Sequence, residues 1–247
     1  MKKIILAIAA LAISCAAFAQ DREIDLESWD DLNKVELSKG GSRVETDLSF
    51  AFPMYFGWTA LLDNHYKGEW ALSEDIMKFD TRRNFVYGLQ LADMNIRYGV
   101  LGLSLGLRWT FMDFTFADSR YTIQQPVYAT TSNNLLPSLI MTSGYDGRKS
   151  KIHASYFGIP ARLSLNFGKV TIYGGASAEI LVNGYAKYKR PKNRTQIKSA
   201  FNEFRATVEG GFSYGNLGVY VQYGLTPLFP ADLSDARTLT FGLLLGL

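Results

Sequence analysis

The sequence has almost none of the residues that metal sites and thiol chemistry need. It contains one cysteine, Cys15, and two histidines, His65 and His153. A single cysteine excludes an internal disulfide, and no group of histidine, cysteine and carboxylate residues has metal-ligand spacing. No glycine-rich phosphate loop or catalytic carboxylate pair stands out. We therefore expect no metal ion and no other cofactor.

Strong net charge and long apolar runs are also missing. The net charge of +3 includes Lys2 and Lys3, which argues against a nucleic-acid binder overall. Beyond the N-terminus no stretch reaches the roughly 18 apolar residues of a transmembrane helix. Aromatic residues are abundant, at 14%. A membrane protein without apolar helices must be a closed barrel, because lipid offers no partner to free backbone groups.

The N-terminus has the pattern of a secretory signal peptide. A charged start, Met1–Lys3, precedes an apolar run, Ile4–Ile13, and a small-x-small cleavage site at Ala17–Ala19. Cleavage there removes Cys15, so the mature protein has no cysteine nucleophile. The alternative is lipoprotein processing at Cys15, although the usual leucine three residues earlier is missing.

From Val44 onward, apolar and polar residues alternate in eight segments that are long enough to be tilted membrane strands. A break in phase at Ala92-Asp93 predicts a β-bulge in the second segment. The links after segments two, four and six are tight, and the other links are longer. The predicted strands lie at about 47–58, 85–98, 101–111, 156–167, 170–183, 203–214, 217–225 and 238–247.

This pattern predicts an all-β fold: an eight-stranded antiparallel up-and-down transmembrane β-barrel with short periplasmic turns and longer extracellular loops. An even strand count places both termini in the periplasm of a Gram-negative cell. A soluble lipocalin-like barrel or sandwich is the alternative, but its exterior would be charged, whereas here one face is nearly all Leu, Phe, Val and Ile. The predicted organisation is a signal peptide at 1–19, a polar periplasmic segment at 20–43 and an outer-membrane barrel at 44–247.

Two motifs and the last strand resemble the small outer-membrane β-barrel domains common in Bacteroidota, which are often labelled porin-family. The segment Tyr156–Leu163 is similar to that family's aromatic-x-Ile-Pro-x-x-Leu strand, and Tyr223–Leu228 and the glycine-rich last strand also match. The resemblance implies the barrel fold and an outer-membrane location, with insertion by the outer-membrane machinery. Leu247 replaces the terminal phenylalanine that such barrels often have.

The polar face of the predicted strands carries charges that would lie inside a narrow lumen. Because isolated buried charges are very costly, they must pair. We expect a structural plug, with a gate or proton path as the alternative. The predicted lumen network consists of Arg108, Arg162, Glu179, Arg205 and Glu209.

The loops are the expected place for recognition. The loop after the fifth strand is basic and could contact lipopolysaccharide phosphates or another anionic ligand, a solvated loop being the alternative. The longest loop, Ala117–Ser150, is predicted to form a partner surface or a cap. The acidic segment Asp21–Gly41, with a weak helical face (Ile24, Trp29, Leu32 and Val35), could dock beneath the barrel, contact a periplasmic protein or stay disordered. The basic side chains are Lys187, Lys189, Arg190, Lys192, Arg194 and Lys198.

One pair permits an enzymatic alternative. His153 and Ser155 resemble the His-x-Ser pair of outer-membrane lipid A deacylases, in which histidine activates serine. Tyr156 stands where those enzymes usually have asparagine, and no acid on the same face is evident to orient His153. The favoured interpretation is a non-enzymatic structural or surface-binding barrel. The alternatives are a narrow pore for small solutes and, below that, a lipid A deacylase.

Overall fold

The structure is a computed structural model. It describes residues 34–39, 42–49, 53–63, 65–67, 70–71, 78–124, 138–141, 149–188 and 193–246, with the backbone alone at 34–39, 42–49, 124, 138–141 and 193. The predicted signal peptide, Cys15, Ile24, Trp29, Leu32 and Leu247 lie outside these residues. Among the described residues, no helix is both long enough and apolar enough to cross a membrane.

Thirteen strands are described along the chain, separated by turns and loops. They are β1 (Lys34–Lys39), β2 (Ser42–Ser49), β3 (Met54–Leu62), β4 (Phe85–Tyr98), β5 (Leu101–Thr115), β6 (Tyr121–Gln124), β7 (Ser138–Met141), β8 (Ser150–Phe167), β9 (Val170–Tyr188), β10 (Asn193–Gln196), β11 (Phe204–Tyr214), β12 (Leu217–Gly224) and β13 (Arg237–Leu245). Single 3₁₀ turns cover Thr81–Arg83 and Lys198–Ala200.

Eight of these strands close into an antiparallel barrel in the order β3, β4, β5, β8, β9, β11, β12, β13. Closure comes from β13, which pairs with β3 from Arg237↔Leu62 to Leu245↔Met54. The fold class predicted from the alternation is therefore confirmed. A closed barrel leaves no open sheet edge, so the wall satisfies its own backbone hydrogen bonds.

Three two-residue turns lie at one end of the barrel, as the sequence predicts. Gly99, Gly168 and Gly215 begin these turns with φ of 60°, 66° and 56°. Positive φ at the first central position is what a type II′ hairpin requires, and glycine adopts it without steric cost. The long connections all lie at the opposite end, which we call the loop end.

Some boundaries differ from the prediction. The first predicted strand is divided between β2 and β3, and both strands pair with β4. β3 pairs with the loop-end half of β4, and β2 pairs with its turn-end half. Val35, assigned above to a weak helical face, lies in β1, which pairs with β2. The long loop after β5 contains the hairpin β6–β7, and β10 pairs with β9. The bulge in β4 falls between Gln90 and Ala92.

Three strands also extend further toward the loop end than the apolar alternation indicates. β5 runs to Thr115, β8 begins at Ser150 and β9 runs to Tyr188. Strand pairing continues past the last outward apolar side chain, because the hydrogen bonds of the ladder join backbone groups and not side chains. This extension brings polar residues opposite one another that the sequence pattern placed in loops.

The outer wall of the barrel is an exposed apolar belt. Leu163 is 68% exposed and Ile180 60% exposed, while their inward neighbours Arg162 and Glu179 are buried. Aromatic side chains cluster at both edges of the belt. Those at the turn end are Tyr98, Phe167 and Tyr214, and those toward the loop end include Phe56, Trp58, Tyr87, Trp109 and Phe111.

Candidate functional site

The five buried charges of the predicted network lie in two ladder rows, which are separated by one inward row that contains Ser177. In one row Arg108, Gly158, Glu179 and Arg205 are successive partners on β5, β8, β9 and β11. The second row lies two inward positions nearer the turn end and joins Arg162 through Gly175 to Glu209 and then to Gln222 on β12. Because residues in one row share a face, both rows point into the lumen.

The structure brings all five predicted lumen residues into one ion-pair network. Arg108 bridges the two carboxylates: its Nη1 lies 2.6 Å from Glu209 Oε2 and its Nη2 lies 3.2 Å from Glu179 Oε1. Arg162 Nε is 2.6 Å from Glu209 Oε1, and Arg205 Nη1 is 2.6 Å from Glu179 Oε2. Each of the five residues is at most 6% exposed. Three guanidinium groups thus surround two carboxylates.

Neutral polar side chains complete the network, and the sequence reasoning did not name them. Arg162 donates from Nη1 to Gln90 Oε1 at 3.0 Å and also contacts the Tyr55 hydroxyl. Gln222 Nε2 donates to Glu209 Oε2 at 3.3 Å, and Ser177 Oγ accepts from Arg108 at 2.9 Å. All lie at inward positions of the alternation, which is the signal that could have identified them.

Two inward glycines make room for the long side chains of the network. A Cβ on Gly158 would lie 2.5 Å from Glu179 Cγ, and one on Gly175 would lie 2.9 Å from Arg162 Cγ. Each glycine therefore provides the space in which a neighbouring charged side chain crosses the lumen.

Above the network, the loop end is filled by an apolar core. Trp70, Phe201 and Phe229 come from three different long loops and are at most 1% exposed. Trp70 packs edge-on against Phe229 with ring centroids 5.1 Å apart. Tyr156 joins this core from the barrel wall. The described loops thus close the lumen on that side, and Ile123 of the predicted cap loop Ala117–Ser150 belongs to this core.

Below the network, the turn end contains a polar cavity of about 350 Å³. Arg162 and Tyr173 line it nearest the network, and Ser164, Asn166 and Thr171 form part of its wall. The lumen is therefore divided into a polar cavity, a charged middle and an apolar plug.

On the outer wall, His153 has an acidic partner that the sequence reasoning did not find. Asp113 on β5 is directly opposite His153, and its Oδ1 lies 2.6 Å from His153 Nδ1. The expectation that no acid lies on this face is wrong, because β5 continues beyond Phe111. Ser155 lies on the same strand as His153 and is 4% exposed, while His153 is 5% exposed.

The basic residues of the loop after β9 are only partly described. Three of the six predicted basic residues lie in regular structure: Lys187 in β9, Arg194 in β10 and Lys198 in a 3₁₀ turn. Lys189, Arg190 and Lys192 lie outside the described residues. Among the described residues no group of three or more histidine, cysteine or carboxylate side chains could hold a metal ion.

Comparisons with known proteins return a solved structure but no family. No protein-family model matches the chain, and no curated protein sequence does. The resemblance to Bacteroidota barrels therefore stays a prediction. The chain is similar to the crystal structure of Neisserial surface protein A (NspA), with 10% sequence identity, a TM-score of 0.34, and coverage of 81% of this chain and 99% of that one.

Proposed function

We propose that this protein is an outer-membrane β-barrel that does not conduct solutes and that acts through its outer surface, in a structural or surface-binding role without catalysis. The observation that carries the proposal is the combination of a sealed lumen with an apolar exterior. Lipid is the solvent that suits the exterior, since a water-exposed surface of this kind would aggregate.

The sealed lumen argues against the alternative of a narrow pore. An eight-stranded barrel has just enough interior for side chains to fill it. Here the interior holds an ion-pair network whose members are at most 6% exposed, with an apolar core above it. A conducting path would need both to separate, which would leave buried charges without partners.

Planar-bilayer recording tests the absence of conduction. Refolded protein is expected to stay silent at all voltages and salt concentrations, whereas reproducible single-channel steps would refute the sealed lumen. The matched control is the Arg162→Ala/Glu209→Ala variant, which removes both ion pairs of Glu209 and leaves Arg108 paired with Glu179. Raised leak in the control alone would locate the seal at the network.

Orientation is tested by single cysteines introduced at opposite ends. Asp232 is exposed in the connection between β12 and β13, and Lys169 lies in a two-residue turn. The proposal places the loops outside the cell and the turns in the periplasm. An impermeant maleimide added to intact cells should label Asp232→Cys and spare Lys169→Cys; the reverse pattern would contradict it.

A second candidate function, ester hydrolysis on an outer-leaflet lipid, is favoured by the Asp113–His153 contact. Such a contact orients a histidine base toward a serine nucleophile. Ser155 would lose its proton to His153 as its Oγ attacks the carbonyl of an acyl ester, and the alcohol of the lipid would leave with that proton. Water would then hydrolyse the acyl-serine and release the fatty acid. The low exposure of His153 and Ser155 works against substrate access.

Incubation with lipid A separates the two candidates. The non-enzymatic proposal predicts no acyl loss by mass spectrometry over many hours. Acyl release that disappears in Ser155→Ala and in Asp113→Asn would establish the hydrolase instead.

A further inference from the structure

A row of cations lies at the loop-end edge of the outer wall. Lys151 on β8 pairs with Lys187 on β9, and Lys187 pairs with Arg194 on β10. The alternating neighbours Ile152 and Ala186 belong to the internal apolar core, so Lys151 and Lys187 point outward. Like charges directly opposite one another destabilise a sheet. A row of three therefore needs negative charge nearby.

Within the part of the chain that the structure describes, one of the three cations has an acidic partner. Lys151 contacts Asp113, and the pair is mostly buried. Neither Lys187 nor Arg194 has an acidic partner within the described part of the chain, and the sequence contains no acidic residue from Ile180 to Phe201. The positive charge of these two side chains is left for an external anion.

Arg194 is held in place by a stack of rings. Its guanidinium lies 3.8 Å from the centroid of the Tyr185 ring, and Tyr185 stacks on His153 at 4.5 Å. His153 is in turn fixed by Asp113. A stacked guanidinium has lost conformational freedom before any ligand arrives, which favours recognition of an anion.

The apolar belt begins directly below this row. Ile180 and Val182 on β9 are 60% and 44% exposed, and Phe204 on β11 is 49% exposed. The surface thus combines two cations that have no acidic partner among the described residues with an apolar wall suited to acyl chains. Only an amphipathic anion fits both parts.

We propose that Lys187 and Arg194 form a clamp for a phosphate group of an outer-leaflet glycolipid, with Tyr185, His153 and Asp113 as positioning residues. The inference rests on the proposed outer-membrane function and names the partner of that outer surface. It departs from a diffuse basic loop, because two residues in adjacent strands supply the contact and the ring stack orders one of them.

Binding of a bis-phosphorylated lipid A, compared with the same lipid after phosphate removal, tests the clamp in detergent by native mass spectrometry. Two cations near a membrane surface predict about 25-fold tighter binding of the phosphorylated form. Lys187→Gln and Arg194→Gln should each weaken it about fivefold. Lys169→Gln, at the opposite end, is the matched control and should change nothing.

Variants of Tyr185 separate the effect of the ring stack on lipid binding from the effect of charge. Tyr185→Leu should weaken binding of the phosphorylated lipid although every charge remains, and Tyr185→Phe should restore it. Inorganic phosphate at the same concentration should not compete. Equal binding of both lipids, an equal loss in Lys169→Gln, or full competition by inorganic phosphate would each overturn the proposal. A barrel that folds, inserts and stays silent while failing these tests refutes the clamp and leaves the proposed function intact.

Discussion

Removing the Glu179 carboxylate should strongly destabilise the barrel. Glu179 accepts from Arg205 at 2.6 Å and from Arg108 at 3.2 Å, and it is 1% exposed. Its loss leaves two buried guanidinium groups short of a partner. We expect Glu179→Ala to lower the free energy of unfolding by about 3–5 kcal/mol, the range for breaking a buried ion pair.

The balance of charges makes the prediction more specific. The network has three guanidinium groups and two carboxylates, so removal of Glu179 increases its excess positive charge. Arg205→Met removes that excess, and Glu179 keeps Arg108 as a partner. Arg205→Met should therefore cost less than Glu179→Ala, and the double variant should cost less than Glu179→Ala alone.

Urea unfolding of the refolded barrel in lipid vesicles, followed by tryptophan fluorescence, provides the measurement. The control is the exposed ion pair between Lys67 and Asp235, where Asp235→Ala should cost at most about 1 kcal/mol. The reasoning would be refuted if Glu179→Ala cost no more than Asp235→Ala, or if the double variant were the least stable of the series.

Two further predictions concern packing. Gly175→Ala should destabilise the barrel by about 1–3 kcal/mol in the same assay, because the new Cβ would lie 2.3 Å from the Ala161 carbonyl oxygen. Gly174→Ala is the control and should cost under about 0.5 kcal/mol, because the atom nearest to its Cβ would be 4.0 Å away. Equal costs would contradict the packing argument. Trp70→Ala should cost about 3–5 kcal/mol by emptying the fully buried centre of the loop-end core, and a thermal melt unchanged from the parent protein would show that this core does not hold the loops.

The sequence predicts which face of the barrel wall each strand residue lies on better than it predicts the contacts inside the lumen. Strict alternation assigns each strand residue to a face, so the outward position of Leu163 and the inward position of Arg162 follow directly. The glycine turns mark where strands end. Which guanidinium meets which carboxylate depends on register, and a single bulge such as the one at Gln90 shifts every pair beyond it.

The contacts made by loops and by strand extensions could not be predicted, because the sequence shows no apolar–polar alternation in those segments. Trp70, Phe201 and Phe229 meet in one core although they come from three separate loops. Asp113 was missed as the partner of His153 because the apolar alternation of β5 fades before that residue. Contacts between residues that are far apart in sequence are set by the closed topology, which no local pattern encodes.

The most direct test of the account is a charge placed in the middle of the exposed belt. Leu163 is 68% exposed and lies on the outer face of β8. If this face contacts lipid, Leu163→Arg should lower the free energy of unfolding in vesicles by about 2–4 kcal/mol beyond the effect of Leu163→Ala. If the face contacts water, the arginine should cost no more than the alanine, and that result would contradict a membrane-spanning barrel.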